Sequence, residues 1–188
     1  MKSIEQFIEG LCAIAAPDFT PEPVGAYIAA TPVDPASLQR YLRFEPTHYT
    51  RNLIFKCGHF ELMTVCWEVG QVSRIHNHQG QNCWMAVPAG RLAVQNYEVI
   101  RMDDQGFCEL REAHRVEMDP AHPSFVQPEM PVHSVLNLPE YNQRAVSLHV
   151  YSYPYDHCLV YDLQGRTYMD VPLFYDSTYG ESTPLTTR

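Results

Sequence analysis

Between Gly70 and Trp84 the chain reads GQVSRIHNHQGQNCW, with two histidines two positions apart, His76 and His78, and a cysteine at Cys83. Side chains at i and i+2 of a strand point to the same face, so two imidazoles spaced this way can aim at one ion inside a barrel. The common oxygen-activating site holds Fe(II) with two histidines and one carboxylate and leaves positions open. Here a thiol stands where the acid is expected. A bare HxH is more often one hydrogen-bonded interior histidine and one exposed one, so its surroundings must decide.

Positioning such a pair calls for strands, and from Tyr49 onward the chain supplies them. RNLIFKCG, FELMTVCWEV, NCWMAVPAG, RLAVQNYEVIRM, CELREAHRVEM, HSVLNL, AVSLHVYSY, CLVYDLQG and TYMDVPLFY are runs rich in Val, Ile, Leu, Tyr and Phe, bounded by Gly, Pro, Asn and Asp. Each is the length of a strand, with turns roughly every ten residues, which predicts an antiparallel sandwich or barrel. Helical spacing is confined to the start. Ile4, Phe7, Ile8, Leu11 and Ile14 recur at three and four, behind Ser3 as cap and Gln6 at the capping-box position. Asp34 followed by Pro35 opens a second helix. PDFTPEPVG reads as a loop.

The 188 residues suffice for one sizeable core, and we expect one domain over 1–188: a helical lead-in over 1–45 and a β-barrel over 46–188. A net charge of −9 repels nucleic acid and anionic membrane surfaces, so the expected partner is a small molecule. No apolar run is long enough to span a membrane, and the N-terminus lacks the charge pattern of a secretory signal, which together predict a cytoplasmic protein. Cysteines at 12, 57, 66, 83, 108 and 158 form no CxxC pair and read as reduced thiols.

The surroundings of the histidine pair form a longer pattern. Gly70, His76, His78, Cys83 and Gly90 follow G-(x)5-H-x-H-(x)4-C-(x)6-G, which resembles the first motif of the cupin superfamily with Cys83 in the place of its glutamate. Further on, in SFVQPEMPVHSVLNL, Pro128, His133 and Asn137 match the second motif, with Met130 in place of one glycine and His122 in place of another. Two motifs in order are far more specific than one. The resemblance implies a mainly β fold, a single cupin (double-stranded β-helix, jelly-roll) barrel behind short N-terminal helices. It makes His133, from a strand on the facing side of the barrel, the third metal ligand. Three neutral imidazoles leave the charge of a divalent ion uncompensated and able to accept anionic substrate atoms; zinc also takes such a set.

A closer resemblance runs in one register from Tyr49 to Thr187. YTRNL, CWEVGQVSRIHNH, Cys83, VHSVLNL, AVSLHVYSYPYDHC and STPLTT are similar to cysteine dioxygenases. That family implies one Fe2+ per chain on His76, His78 and His133, O2 as co-substrate, and L-cysteine oxidised to cysteine sulfinic acid by a monomer. Arg51 matches the arginine that binds the substrate carboxylate, through a planar fork suited to two charge-assisted hydrogen bonds. Tyr49 faces the same way and adds a hydroxyl. Tyr151 matches the tyrosine beside the iron, which in the family forms a thioether with the cysteine matching Cys83. Ser147 and His149 share its strand face, where His149 can orient its hydroxyl. Cys158 matches a cysteine near the pocket mouth, or is an ordinary buried thiol.

Two departures bear on the site. Asn82 and Tyr153 stand where animal members carry histidine and proline, so the unusual peptide geometry after Ser152 either survives as a non-proline cis bond or is lost. The rival readings are a 3-mercaptopropionate dioxygenase, whose members resemble this chain but carry glutamine for the clamping arginine and commonly lack the crosslinking cysteine, and a cupin that only binds metal.

Overall fold

Ser3 caps the first helix as its sequence predicts, its side chain accepting from the Gln6 N–H while the Gln6 side chain accepts from the Ser3 N–H. The computed structural model describes residues 1–122 and 132–183 without residue 123, together with the backbone of residues 124–125. Pro128, Met130 and the PLTT part of the final motif lie outside the described residues. The lead-in holds α1 (Ile4–Cys12), α2 (Pro21–Ala30) and 3-10 turns at Ala16–Asp18 and Pro35–Tyr41. Asp34 caps the last of these by accepting from the Ala36 N–H, so the predicted second helix forms as a tighter 3-10 segment.

PDFTPEPVG is not a loop throughout, because α2 begins at Pro21. Prolines at 21 and 23 occupy the first turn, where backbone N–H groups have no intrahelical acceptor, so neither ring removes a hydrogen bond. Val24 and Ile28 then anchor the helix in the core. A proline pair signals a breaker in the sequence, and here it marks a start.

Thirteen strands follow among the described residues: β1 (Thr50–Lys56), β2 (Phe60–Trp67), β3 (Ile75–His76), β4 (Cys83–Ala89), β5 (Leu92–Met102), β6 (Cys108–Met118), β7 (Ser124–Phe125), β8 (Val132–Leu136), β9 (Ala145–Ser152), β10 (His157–Asp162), β11 (Thr167–Pro172), β12 (Ser177–Thr178) and β13 (Glu181–Ser182). Every run predicted as a strand contains one. The strands that the sequence did not reveal, β3, β7, β12 and β13, have two residues each, too few to carry an alternation. They form two sheets, in the orders β13-β12-β1-β2-β9-β4-β7 and β11-β10-β3-β8-β5-β6. This is the mainly β, cupin-type architecture expected.

The first sheet is covered on both faces. Phe60, Leu62, Leu148 and Val150 face outward and pack with Ile4, Phe7, Leu11, Val24 and Leu38 of the lead-in. Met63, Val65 and Trp67 of β2 face the barrel interior with Cys83, Met85 and Tyr151. Every residue of β2 and β9 is buried as a result. The two motif glycines serve the frame. Gly70 (φ 85°) donates its N–H to the Asn137 carbonyl, tying the first motif to the second. Gly90 (φ 80°) lies so close to the next strand that a methyl there would stand 2.4 Å from the Arg144 carbonyl oxygen.

Candidate metal centre and substrate pocket

His76 ends β3 and pairs directly with His133 on β8. The expectation that His133 comes from the facing side of the barrel is therefore corrected: the two sit on neighbouring strands of one sheet, as cross-strand partners. His78 lies just beyond β3, in a turn closed by the Gln81 N–H on the His78 carbonyl, so the HxH pair is only half in a strand. The turn needs Gln79 and Gly80 at positive φ (51° and 76°). Even so the three rings converge, with centroids 5.2 Å (His76–His78), 4.8 Å (His76–His133) and 4.9 Å (His78–His133) apart. One ligating nitrogen from each lies within 4.8 Å of the others.

The donors fit a transition-metal ion. Burial lowers all three imidazole pKa values, and for His78 and His133 the neighbouring histidines lower them further, so the rings are neutral and their lone pairs available. His76 binds the Arg74 carbonyl through Nδ1 at 2.9 Å, which protonates that nitrogen and leaves Nε2 as the ligating atom. Among the described residues no carboxylate joins the set. Cys83 lies elsewhere, on β4 opposite Tyr151, so the thiol of the opening stretch is not part of the cluster.

A cavity of about 780 Å³ opens onto the cluster between the sheets, and Tyr49, Arg51, Trp67, His76, His149 and Tyr151 are in its wall. Arg51, on β1, is held by its backbone: its N–H donates to Asp176 Oδ2 and its carbonyl accepts from the Asp176 N–H, both at 2.8 Å. Its guanidinium Nη1 is buried with no hydrogen-bond partner among the described residues. A cationic donor aimed into a pocket in this way suits an anionic ligand. Tyr49 stacks on Trp67 with ring centroids 4.6 Å apart. His48 also lines the cavity and reaches Asp176 Oδ1 with its Nε2 at 3.1 Å.

Ser147, His149 and Tyr151 alternate on the inner face of β9. Trp67 Nε1 donates to Ser147 Oγ (2.9 Å), Ser147 Oγ meets His149 Nε2 (2.8 Å), and His149 Nδ1 meets the Tyr151 hydroxyl (3.1 Å). The row is longer by one residue, Trp67, than the three that the sequence placed on one strand face. Burial first, then the Arg51 guanidinium, hold the His149 pKa down to about 3, so this ring is neutral. Burial pushes the Tyr151 phenol and the Cys83 thiol up. Cys83 is the direct cross-strand partner of Tyr151, the arrangement in which side chains of two strands come closest to touching.

After Ser152 no cis peptide bond is present among the described residues; Tyr153 instead takes positive φ (59°), its N–H donating to the His59 carbonyl. This turn brings Tyr155 back over the site, 5.3 Å from the Tyr151 ring and 6.4 Å from His78. Tyr155 carried no sequence signal, because its place depends on a left-handed residue that only the fold reveals. Cys158 is buried in the cavity wall, which unites its two sequence readings.

A two-sheet β-barrel with three converging histidines, one of which lines a cavity shared with a buried arginine, defines a cupin-type protein with a candidate metal centre. Over residues 8–164 the chain matches the family model for cysteine dioxygenase type I, and it belongs to that family. It is 30% identical to cysteine dioxygenase type 1 of Rattus norvegicus over 88% of this chain and 82% of that one. To the Homo sapiens protein of the same name it is 29% identical over the same shares. Among solved structures, TT1209 from Thermus thermophilus overlaps 62% of this chain and 93% of its own, at 22% identity and a TM-score of 0.47.

Proposed function

We propose that this chain is an iron-dependent thiol dioxygenase that oxidises L-cysteine to cysteine sulfinic acid, adding both atoms of O2 to the substrate sulfur. One observation carries the reading: His76 of the three-histidine cluster and Arg51, whose buried Nη1 has no hydrogen-bond partner among the described residues, line one cavity. Family membership supports dioxygenase chemistry in the same place. His76, His78 and His133 hold one Fe2+ per chain, and the enzyme works as a cytoplasmic monomer. Iron bound there supplies the redox chemistry that lets O2 react with a thiolate.

The remaining work falls to side chains. Arg51 takes the substrate carboxylate with its fork and so fixes which way the thiol points; Tyr49 beside it adds a hydroxyl. Trp67, Val65, Val135 and Tyr155 in the wall keep water from the reacting sulfur. Ser147 and His149 hold the Tyr151 hydroxyl at a set orientation, where it exchanges a proton with the substrate. Cys83 and Tyr151 become joined by a thioether when the thiol and one ring C–H together give up two protons and two electrons to O2. Arg51 and Cys83 both favour L-cysteine over 3-mercaptopropionate.

The test is anaerobic loading with Fe2+ followed by O2 uptake and product analysis. Uptake with L-cysteine that yields the sulfinate supports the reading. Clearly faster turnover of 3-mercaptopropionate reassigns the substrate, and no uptake at full iron occupancy leaves a metal-binding cupin. Peptide mass spectrometry after turnover should detect a Cys83–Tyr151 species lighter by two hydrogens; free Cys83 throughout removes the crosslink and leaves the dioxygenase.

A further inference from the structure

Glu61 is the one carboxylate among the buried polar side chains of the described residues, and no step of the proposed chemistry employs it. It sits on the inner face of β2, in register with Lys56 on β1 and with Tyr151 on β9, so a single rung of the sheet carries Lys56, Glu61, Tyr151 and Cys83. Its Oε2 accepts from the Tyr175 hydroxyl at 2.6 Å and lies 3.7 Å from Lys56 Nζ, while its Oε1 is buried without a partner among the described residues. Tyr175 in turn faces two cations: its ring centre is 5.7 Å from the Arg51 guanidinium carbon and 5.7 Å from Lys56 Nζ.

This arrangement is fixed from both ends. The Asp176 backbone and carboxylate clip onto the Arg51 backbone, and β12 runs parallel to β1 with Ser177 opposite Asn52. Tyr175 therefore arrives over Arg51 by chain connectivity, and Glu61 pins its far end. A cation over an aromatic face is attracted to it, which orders the guanidinium, while a nearby buried anion offsets part of its charge. The two influences act oppositely on an incoming carboxylate. An ordered ring prepares the clamp, and the Glu61 charge weakens it.

The geometry points to Glu61 as a positioning residue of the Arg51 clamp, setting through Tyr175 how tightly the pocket holds a carboxylate-bearing thiol. The inference rests on the reading of Arg51 as the carboxylate site. It makes product release part of the design, since a clamp without a counter-anion would hold the anionic product as firmly as the substrate.

Equilibrium binding of L-cysteine and of 2-aminoethanethiol, which has no carboxylate, to the anaerobic iron-loaded protein tests it. Glu61→Gln keeps an acceptor for Tyr175 and removes the charge, so the Kd for L-cysteine falls by about three- to tenfold. Tyr175→Phe keeps the Glu61 charge and loses the pin, so that Kd rises by a comparable factor. In both variants 2-aminoethanethiol binds within about twofold of the wild type, as its charge does not meet Arg51. Equal shifts for both thiols, shifts of one sign in the two variants, or no shift overturn the inference, because a merely structural role gives those patterns. A wild type that binds L-cysteine and consumes no O2 overturns the dioxygenase reading while leaving this measurement valid. A wild type that binds neither thiol overturns both.

Discussion

Arg51→Gln isolates the carboxylate clamp. The guanidinium Nη1 is buried and unpartnered among the described residues, so its hydrogen bonds are made with the ligand and are not borrowed from a protein acceptor. A hydrogen bond to a charged group is worth about 1.5–3 kcal/mol, and the fork offers two. Glutamine retains one neutral donor worth about 1 kcal/mol, leaving a net loss of about 2–5 kcal/mol, or roughly 30- to 5000-fold in affinity. The carboxylate is distant from the sulfur that reacts, so its contact is the same in ground and transition states and the loss appears in KM, with kcat changed less than about tenfold. Steady-state O2 uptake measures both constants. 2-Aminoethanethiol, lacking the carboxylate, serves as control and keeps its KM within about threefold. A KM for L-cysteine that stays within about twofold of wild type, or an equal rise for both thiols, would refute the assignment of Arg51.

Other outcomes follow from the same geometry. His133→Ala removes one of three imidazoles, and iron affinity measured by competition with a chelator drops by more than the roughly 10–100-fold typical of losing a supporting hydrogen bond around a metal; unchanged iron content counts against the cluster. Ser147→Ala strands Trp67 Nε1 and His149 Nε2 in a buried row, at about 1–3 kcal/mol for each group left unpaired, read as a lower denaturation midpoint. Gly90→Ala forces a methyl against the Arg144 carbonyl at positive φ and costs about 2–4 kcal/mol, so an unaltered Tm contradicts the close approach. Burial raises the Glu61 pKa above its ordinary 4.5 despite Tyr175, Lys56 and Arg51 drawing it down. The folded state thus keeps this proton to higher pH than the unfolded chain, and stability falls as pH rises from about 4.5 through the raised value. Unfolding of wild type and Glu61→Gln across that range tests the sign: the variant gains on the wild type as pH increases.

The β architecture was legible because long strands announce themselves. FELMTVCW and AVSLHVYS are eight-residue runs rich in apolar and β-branched residues, and such runs read as strands even where helices later bury the second face. The capping box at Ser3 and the cap at Asp34 are likewise local chemistry and form as read. What misled was also local: Pro21 and Pro23 look like loop residues until the first turn of α2 accommodates them. Two-residue strands such as β3 and β12 leave no pattern, because long-range pairing alone makes them strands.

At the site, residue types and spacing named the histidine pair, and the second motif and the family resemblance added His133, Arg51, Cys83 and the Ser147–His149–Tyr151 row. Their arrangement belongs to the tertiary structure. That His76 and His133 face each other across one ladder is a matter of register between segments more than fifty residues apart, which no spacing encodes. Glu61 and Tyr175 illustrate this most sharply. One is a lone acid in an apolar strand and the other an aromatic near the C-terminus, and each reads as unremarkable until β1, β2 and β12 pair. Pairing then brings a buried carboxylate, a phenol and two cations within reach of one another. Local patterns record which way a side chain faces along its own strand; which charges meet inside the barrel depends on the order and register of strands, fixed by the packing of the whole core.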